Sequence, residues 1–194
     1  MIAVPQFPVL SPSEYLCWEA KQSLKYEYVE GEIYTMTGGT LPHNSITLNL
    51  ATALKMHLRG QNCKVFMADA KLQIIENVYI YPDVAVTCDP QDCQATDKIH
   101  HPKLIIEVLS PGTEAKDRGR KFYHYRRLAS LQEYWLVTPH TMQIEVYRLN
   151  ASQRWELTTY VLDEERSQPE QVMIPIAAVG LDLSLAQVYE DVNL

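Results

Sequence analysis

Two carboxylates interrupt strand-like apolar sequence, where a charged side chain needs a partner. Glu107 breaks the run LIIEVL, and Asp83 follows Pro82 in VYIYPDVAV. Burying an unpaired carboxylate costs several kcal/mol or shifts its pKa. Magnesium or manganese needs only one or two protein carboxylates beside water and a substrate phosphate. Asp83 and Glu107 are therefore candidate metal ligands; alternatively, each lies at a strand edge or pairs with an arginine or lysine.

A third carboxylate, Glu27, lies in the alternating segment YEYVEGEIYTM. A period of two predicts a strand over Tyr26 to Met36. On such a strand Glu27 has the parity of Val29 and Ile33, which is the apolar side. We therefore expect Glu27 to face the core and to help hold a hard cation.

A basic helix is expected after the Glu107 strand. The pattern predicts a helix over Thr113 to Leu128, and residues 114–127 hold six basic and two acidic side chains, a local charge of +4. Its early turns are expected to overhang the carboxyl end of the strand, where sites in open sheets form, so Lys121 can reach the carboxylates. Asp117, four residues earlier, has the spacing of a surface salt bridge, which is the alternative.

The same basic segment is suited to a phosphodiester substrate. Arg118 and Arg120 are the candidate contacts, because positive charge beside a carboxylate site attracts phosphate. A solvated helix face has the same composition. The distinction therefore rests on what the arginines contact in the folded chain.

Periodicity and turn residues predict the remaining elements. Helices are expected over Ser11–Ala20 and Pro42–Leu58. Cys88 to His101 has the composition of a polar loop. Strand-like runs are Lys64–Ile75, Val78–Val86, Leu104–Leu109, Glu133–Val137, Thr141–Leu149 and Arg154–Tyr160, with shorter segments near Val172 and Leu183. Together they predict an α/β fold, a mixed sheet flanked by helices.

Two of the expected connections carry structural information. Glu76 and Asn77 are expected to form the turn of a tight hairpin. Pro82 marks an edge, a bulge or a point where neighbouring strands separate, because proline cannot donate to a ladder. Such points often open a site.

Composition favours one compact domain over residues 1–194. The chain has 194 residues, a net charge of −7, 46% hydrophobic and 21% charged residues, all near the globular average. No basic residue precedes Lys21 and prolines interrupt the amino-terminal apolar residues, so we expect neither an export signal nor a membrane segment. The interpretation is a cytoplasmic protein whose four cysteines are reduced thiols.

The order of several motifs resembles a known family. The succession YEYVEGE, YPDVAV, LIIEVLSPGT, DRGRK and EYWLV, with His43 near a helix start, is similar to the Uma-two family of the PD-(D/E)XK nuclease superfamily. The resemblance covers about residues 11 to 190. It implies a restriction-endonuclease-like fold, with a mixed β-sheet core flanked by helices, and metal-dependent hydrolysis of phosphodiesters in nucleic acid.

The resemblance also assigns roles to residues. Pro82 and Asp83 match the PD element and Glu107 matches the second acidic residue. The superfamily lysine two positions later is Leu109 in this chain. The family pattern offers a lysine from the following helix instead, which Lys121 matches.

Two further residues match the family pattern. Glu27 matches its early acidic residue, and His43 matches a histidine at the start of the next helix. For His43 a structural role at that helix start stands beside substrate contact.

These assignments imply a mechanism. Asp83, Glu107 and the carbonyl of Val108 would bind Mg²⁺ or Mn²⁺, which activates water, and Lys121 would position that water or offset charge. Glu27 would assist through a metal-bound water or by orienting Lys121. The expected substrate is DNA, and the strand-rich carboxyl-terminal part with its tryptophans would suit a homodimer.

Two other functions stay open. Leu109 and the charge of −7 suit a nuclease-fold binding module that has lost turnover. A hydrolase of small phosphoesters would use the same carboxylates.

Overall fold

The computed structural model describes residues 9–36, 38–163, 165 and 167–194. Over these ranges the chain forms a five-stranded sheet, a six-stranded sheet and a two-stranded hairpin, with helices on the sheet faces. The expected α/β class, mixed sheets flanked by helices, is confirmed. The prediction that the amino terminus carries no export signal concerns residues that largely lie outside the described ranges, since residues 1–8 are not among them.

The elements have the following bounds. The helices are α1 (Pro12–Glu19), α2 (Leu41–His57), α3 (Pro90–Gln94), α4 (Glu114–Lys116), α5 (Phe122–Tyr125) and α6 (Leu185–Val188). The strands are β1 (Tyr26–Val29), β2 (Glu32–Thr35), β3 (Lys64–Met67), β4 (Lys71–Ile75), β5 (Val78–Ile80), β6 (Val84–Thr87), β7 (Lys98–Ile99), β8 (Pro102–Val108), β9 (Glu133–Thr138), β10 (Gln143–Leu149), β11 (Trp155–Val161), β12 (Met173–Ile176) and β13 (Leu181–Ser184). A π-helical turn, Asp117–Lys121, joins α4 to α5.

The sheet orders are β2-β1-β5-β4-β7 and β11-β10-β9-β8-β6-β3. β8 and β9 run parallel, and the helical segment from α4 to α5 connects them. This confirms the expected strand, helix, strand unit. No helix in the described part of the chain has the length and apolar character needed to cross a bilayer.

Residues of β8 face two different cores. Leu104, Ile106 and Val108 pack with α2 and the carboxyl-terminal elements. Ile105, and Leu109 directly after the strand, pack on the other face, with residues of α5 and of the five-stranded sheet. Because successive strand residues alternate between faces, Glu107 lies on the face of Ile105, beneath the helical segment. A carboxylate in that position has no access to bulk water and must be paired within the protein.

The strand expected over Tyr26 to Met36 is a hairpin instead. The backbone turns at Glu30 and Gly31, with φ values of 54° and 95°, and β1 pairs with β2 so that Tyr28 faces Ile33. Ile33 therefore lies on the face of Tyr28, and the expectation that it shares a side with Glu27 is wrong. Glu30 and Gly31 form the turn. The alternation of apolar and polar residues continues through them, so the pattern alone does not show the turn.

Two long strand predictions are broken where the sheets separate. The run from Lys64 to Ile75 divides at Ala68, whose φ is 53°, into β3 and β4 of different sheets. The run from Val78 to Val86 divides at Pro82 in the same way, as the proline indicated. The turn at Glu76 and Asn77 joins β4 and β5 in antiparallel register, as expected.

Two expectations for the cysteine-containing segments are wrong. Residues 88–101 are not one polar loop, since they contain α3 and β7. Cys63 and Cys88 form a disulfide, so the cysteines are not all reduced thiols. β3 pairs antiparallel with β6 and Lys64 faces Thr87, which places the two cysteines opposite one another at the end of the pair.

Gly31→Ala is expected to lower the free energy of unfolding by about 1 kcal/mol, because a side chain disfavours the left-handed backbone region. A Cβ at Gly31 would have room, with its nearest contact 3.9 Å away, so the cost would come from the backbone. Gly112→Ala, in open space without a positive φ, is the matched control. Urea denaturation measures both; an equal effect would contradict the hairpin geometry.

Candidate functional site

Asp83 lies at the crossing from the first sheet to the second, directly before β6. Its Oδ2 accepts a hydrogen bond of 2.7 Å from the backbone N–H of Val108 and lies 3.2 Å from Nε2 of His43. About a fifth of the Asp83 side chain is exposed. The carboxylate is therefore held against the end of β8 while one side remains open to solvent.

Glu107 lies beside Asp83 and is buried. Its Oε2 accepts the backbone N–H of Asp83 at 3.3 Å, while Oε1 accepts from Nζ of Lys121 at 3.1 Å and from the hydroxyl of Tyr125 at 2.6 Å. Burial raises the pKa of Glu107 well above its ordinary value, and the charges of Asp83 and Asp117 add to the rise; Lys121 opposes it.

Lys121 is the counter-charge of three carboxylates. Its Nζ lies 3.1 Å from Glu107, 3.2 Å from Oε1 of Glu27 and 3.2 Å from Oδ1 of Asp117. Burial would lower the pKa of Lys121, but the three negative charges outweigh it and raise the pKa well above its ordinary value. The ammonium therefore stays charged inside the protein.

Asp117 is buried and not on the surface. Its Oδ1 is within ion-pair distance of Lys121 but accepts no hydrogen bond from the residues that the structure describes, so the contact is mainly electrostatic. The expected pair therefore exists, but at the centre of the site. The helical segment turns this face toward Glu107, which spacing along the sequence cannot reveal.

The π turn aligns the helix residues that reach this site. In an α-helix, residues four apart are rotated about the axis by about 40°, and the π turn spans the interval from Asp117 to Lys121. A π turn takes up one extra residue and reduces this rotation. Asp117 and Lys121 therefore lie close to one face. Lys121 and Tyr125, four residues apart, both reach the same oxygen of Glu107.

Glu27 belongs to the other sheet. It lies on β1, its Oε1 accepts the backbone N–H of Tyr81 at 3.3 Å, and the same oxygen contacts Lys121. Lys121 thus connects carboxylates of both sheets with one from its own helix.

His43 lies in the first turn of α2, which Thr40 caps. Burial opposes protonation, but Asp83, with smaller contributions from the Val108 backbone and Asp117, raises the pKa of His43 above its ordinary value. A Cβ on Gly39 would lie 2.7 Å from Nδ1 of His43. Glycine at that position therefore leaves room for the imidazole beside Asp83.

Arg118 and Arg120 already have protein partners. Arg118 binds Glu145 and, at 2.8 Å, Glu114. Arg120 binds Glu32 and the hydroxyl of Tyr34. The structure does not bring either guanidinium into the carboxylate cluster. The exposed basic side chains of the segment are Lys116, Arg126 and Arg127.

Sequence reasoning missed three residues around the site. Tyr125 donates to Glu107, and the hydroxyl of Tyr134 donates to the backbone carbonyl of Asp117 at 3.0 Å. His124 is buried, burial lowers its pKa, and its Nδ1 has no hydrogen-bond partner among the described residues. The spacing of Tyr125, four residues after Lys121, was an available signal.

The donor atoms suit a hard divalent cation. Asp83 and Glu107 are adjacent oxygen donors, joined by the bond from the Asp83 N–H to Glu107, and the backbone of Val108 meets both Asp83 and His43. Two carboxylates and a carbonyl, completed by water and substrate, fit Mg²⁺ or Mn²⁺. Such an ion would compete with His43 for Asp83.

A second group of possible ligands lies elsewhere. Ligand atoms of Asp89, Asp92 and His101 lie within 4.8 Å of one another. Asp92 accepts from the Thr87 hydroxyl and from the backbone N–H groups of residues 100 and 101, and Asp89 caps α3. Both carboxylates therefore have structural roles.

Comparison with known proteins identifies the family. The model of the family Uma2, described as "Putative restriction endonuclease", matches residues 12–185. The chain belongs to the Uma2 family. The resemblance in the motif order is thereby confirmed.

Curated relatives in Synechocystis sp. support this membership. The uncharacterized protein slr1290 is 40% identical over 184 residues, which cover 94% of this chain and 93% of the relative. The uncharacterized protein sll1609 is 33% identical over 163 residues, covering 81% and 91%.

A solved structure shares the fold. A protein from Anabaena variabilis, described as a "putative nuclease belonging to DUF820", superposes with a TM-score of 0.74 at 18% identity, and the match covers 93% of this Uma2 chain and 97% of that protein. The arrangement of mixed sheets and flanking helices is therefore shared between the two proteins.

Glu107→Gln is expected to lower the free energy of unfolding of the metal-free protein. This loss is expected to become smaller as pH rises above 4.5, the ordinary pKa of glutamate. The folded chain binds the Glu107 proton more tightly than the unfolded chain does. Stability from this group is therefore complete below that value and is lost as pH rises through the raised pKa. Urea denaturation between pH 4 and 8, with chelator present, measures the trend.

Glu19→Gln is the matched control, because Glu19 is also buried between a lysine and a tyrosine hydroxyl, Lys71 and Tyr81. There burial raises the pKa, but hydrogen bonds from Tyr81 and Lys71 outweigh it and the net shift is downward. Its stability contribution is present above 4.5 and lost as pH falls. Parallel pH trends for the two variants would contradict the analysis of Glu107.

Proposed function

We propose that this Uma2 protein is a metal-dependent endonuclease that hydrolyses phosphodiester bonds in nucleic acid, with DNA as the substrate. One observation carries the proposal: Asp83 and Glu107 lie side by side at the crossing between two sheets, and Lys121 contacts Glu107. Membership in a family described as "Putative restriction endonuclease" supports the reaction class.

Asp83, Glu107 and the carbonyl of Val108 would hold Mg²⁺ or Mn²⁺. The bound ion would supply Lewis acidity toward the phosphate and a lowered pKa for a coordinated water. Asp83 is suited to this role because its carboxylate is fixed by the Val108 N–H yet partly exposed. Glu107 is oriented by Lys121 and Tyr125 on one oxygen, which leaves its other oxygen toward Asp83.

Lys121 would take the place of the lysine that the superfamily carries on the strand. Leu109 occupies that strand position and is buried in the second core, whereas Lys121 reaches Glu107 from the helix. Its ammonium would orient the attacking water or offset charge developing on phosphate. This contact favours a hydrolase over a binding module that has lost turnover.

Glu27 and His43 would assist at the two sides of the site. Glu27 would hold Lys121 in position from the first sheet. His43, paired with Asp83, would release that carboxylate to the metal and turn toward the substrate phosphate. Arg118 and Arg120 would contact the phosphate backbone only by giving up part of their bonds to Glu145, Glu114 and Glu32.

Asp83→Asn and Glu107→Gln are each expected to weaken Mn²⁺ binding by about 100-fold or more, since loss of outer contacts alone costs 10–100-fold. Isothermal titration calorimetry measures the affinity. Asp89→Asn is the matched control, because it removes a carboxylate from the other acidic group while asparagine still caps α3. Mn²⁺ binding that persists in Asp83→Asn and Glu107→Gln but is lost in Asp89→Asn would refute this metal site.

Lys121→Met is expected to reduce cleavage of supercoiled plasmid by about 100-fold or more while Mn²⁺ binding remains. Lys71→Met, at a partly exposed lysine paired with the buried Glu19, is the control for lost stability. Gel electrophoresis of products at matched folded fractions measures the rate. Wild-type activity in Lys121→Met would exclude this role.

The same assay distinguishes the substrate and the assembly. RNA and a small aryl phosphodiester, tested in parallel, separate a DNA nuclease from an RNA nuclease and from a hydrolase of small phosphoesters. A homodimer with two sites would cut both strands of a duplex together and give linear plasmid early, whereas a single site would give nicked circles first.

A further inference from the structure

Three cysteines meet in a pocket on the far side of β6 from Asp83. The pocket has a volume of about 340 Å³, and the disulfide of Cys63 with Cys88 and the thiol residue Cys93 all line it. Asp83 and Cys88 flank opposite ends of β6 with four strand residues between them, which is roughly 17 Å of extended chain. The pocket is thus separate from the carboxylate cluster.

The disulfide is accessible to attack. Cys63 and Cys88 are both partly exposed, and a pocket of this size lies at the lower end of small-molecule sites. Exposed disulfides are the ones that exchange readily with thiols. A dissolved low-molecular-weight thiol or disulfide can therefore reach these sulfur atoms.

The thiol of Cys93 is held next to the disulfide. Its Sγ contacts the backbone carbonyl of Asn62 at 3.8 Å, and Asn62 directly precedes Cys63. The neighbouring Asp92 is buried and anchors α3 through Thr87 of β6 and the backbone of residues 100 and 101. Cys93 is consequently fixed near Cys63 by the fold.

We propose that Cys63, Cys88 and Cys93 form a thiol–disulfide exchange site whose external substrates are low-molecular-weight thiols and disulfides. In the internal step the Cys93 thiolate attacks Sγ of Cys63. The bond between Cys63 and Cys93 forms as the bond between Cys63 and Cys88 breaks, and Cys88 leaves as a thiolate that takes up the proton Cys93 lost. The step involves no net oxidation or reduction.

Exchange with a dissolved disulfide, RSSR, follows the same chemistry. Two molecules of thiol RSH first reduce the disulfide of Cys63 with Cys88 to two thiols and leave as RSSR. In this reduced chain the Cys63 thiolate attacks RSSR, becomes joined to one RS group and releases the other as a thiol. Cys93 then attacks Cys63 and releases the second RS group as a thiol. The chain is oxidised to the disulfide of Cys63 with Cys93, and RSSR is reduced to two thiols.

Two variants treated with glutathione disulfide test this site. Cys88→Ser is expected to form the Cys63–Cys93 disulfide, at least about tenfold more abundant than any disulfide involving Cys17, because proximity gives Cys93 a high effective concentration. In Cys88→Ser/Cys93→Ser, glutathione is expected to remain attached to Cys63. Trapping with N-ethylmaleimide and peptide mass mapping identify the linkages, and Cys17, exposed on α1, is the internal control.

Retention of glutathione on Cys63 in folded Cys88→Ser, to the extent found in the double variant, would overturn the proposal. If the circular dichroism of Cys88→Ser is not native, the wild-type protein in a glutathione redox buffer at pH 8 decides. Linkage of Cys63 to both Cys88 and Cys93 supports the site. Linkage to Cys88 alone, or three free thiols, overturns it, and neither result bears on nuclease activity.

Discussion

The ion pairs of one buried ammonium hold the site together. Lys121 contacts Glu107 on β8, Glu27 on β1 and Asp117 on its own helix. Each carboxylate would be costly to bury alone, and together they would repel one another. Their common counter-charge makes the cluster possible and fixes three elements at mutual distances that the apolar cores then reinforce.

The cluster nevertheless remains short of positive charge. Lys121 supplies one charge, His43 supplies a second when protonated beside Asp83, and four carboxylates surround them. Burial and this excess raise the pKa of Glu107. Hard cations bind where oxygen donors carry surplus negative charge in fixed positions. The uncompensated negative charge of the cluster, which is unfavourable for folding, therefore also favours the cation binding that we propose.

Local sequence predicted the parts of the site that depend on one element. Asp83 and Glu107 stood out because each interrupts an apolar strand, and Pro82 marked the point where the sheets part. The face of Asp117 was not predictable in the same way, since its burial depends on a helix packing over a distant strand. The prediction for the face of Ile33 was wrong because a two-residue turn preserved the alternation on which the prediction rested.

Strand register across the sheet determines residue contacts that spacing along the sequence does not predict. Cys63 and Cys88 meet because β3 and β6 pair with Lys64 opposite Thr87, and 24 residues that include two strands of the other sheet intervene. Arg118 and Arg120 found their acidic partners on β10 and β2, elements well outside the basic segment. Local charge counts do not contain that information.

The crossings between the two sheets have a mechanical consequence. At Tyr81 to Asp83 the chain passes from β5 to β6 in three residues, and the backbone of that crossing is tied to Glu27 on one side and Glu107 on the other. The sheets therefore cannot shift relative to each other without changing the spacing of these carboxylates. The carboxylates lie where the two sheets are connected, and their relative positions are as rigid as the contact between the sheets.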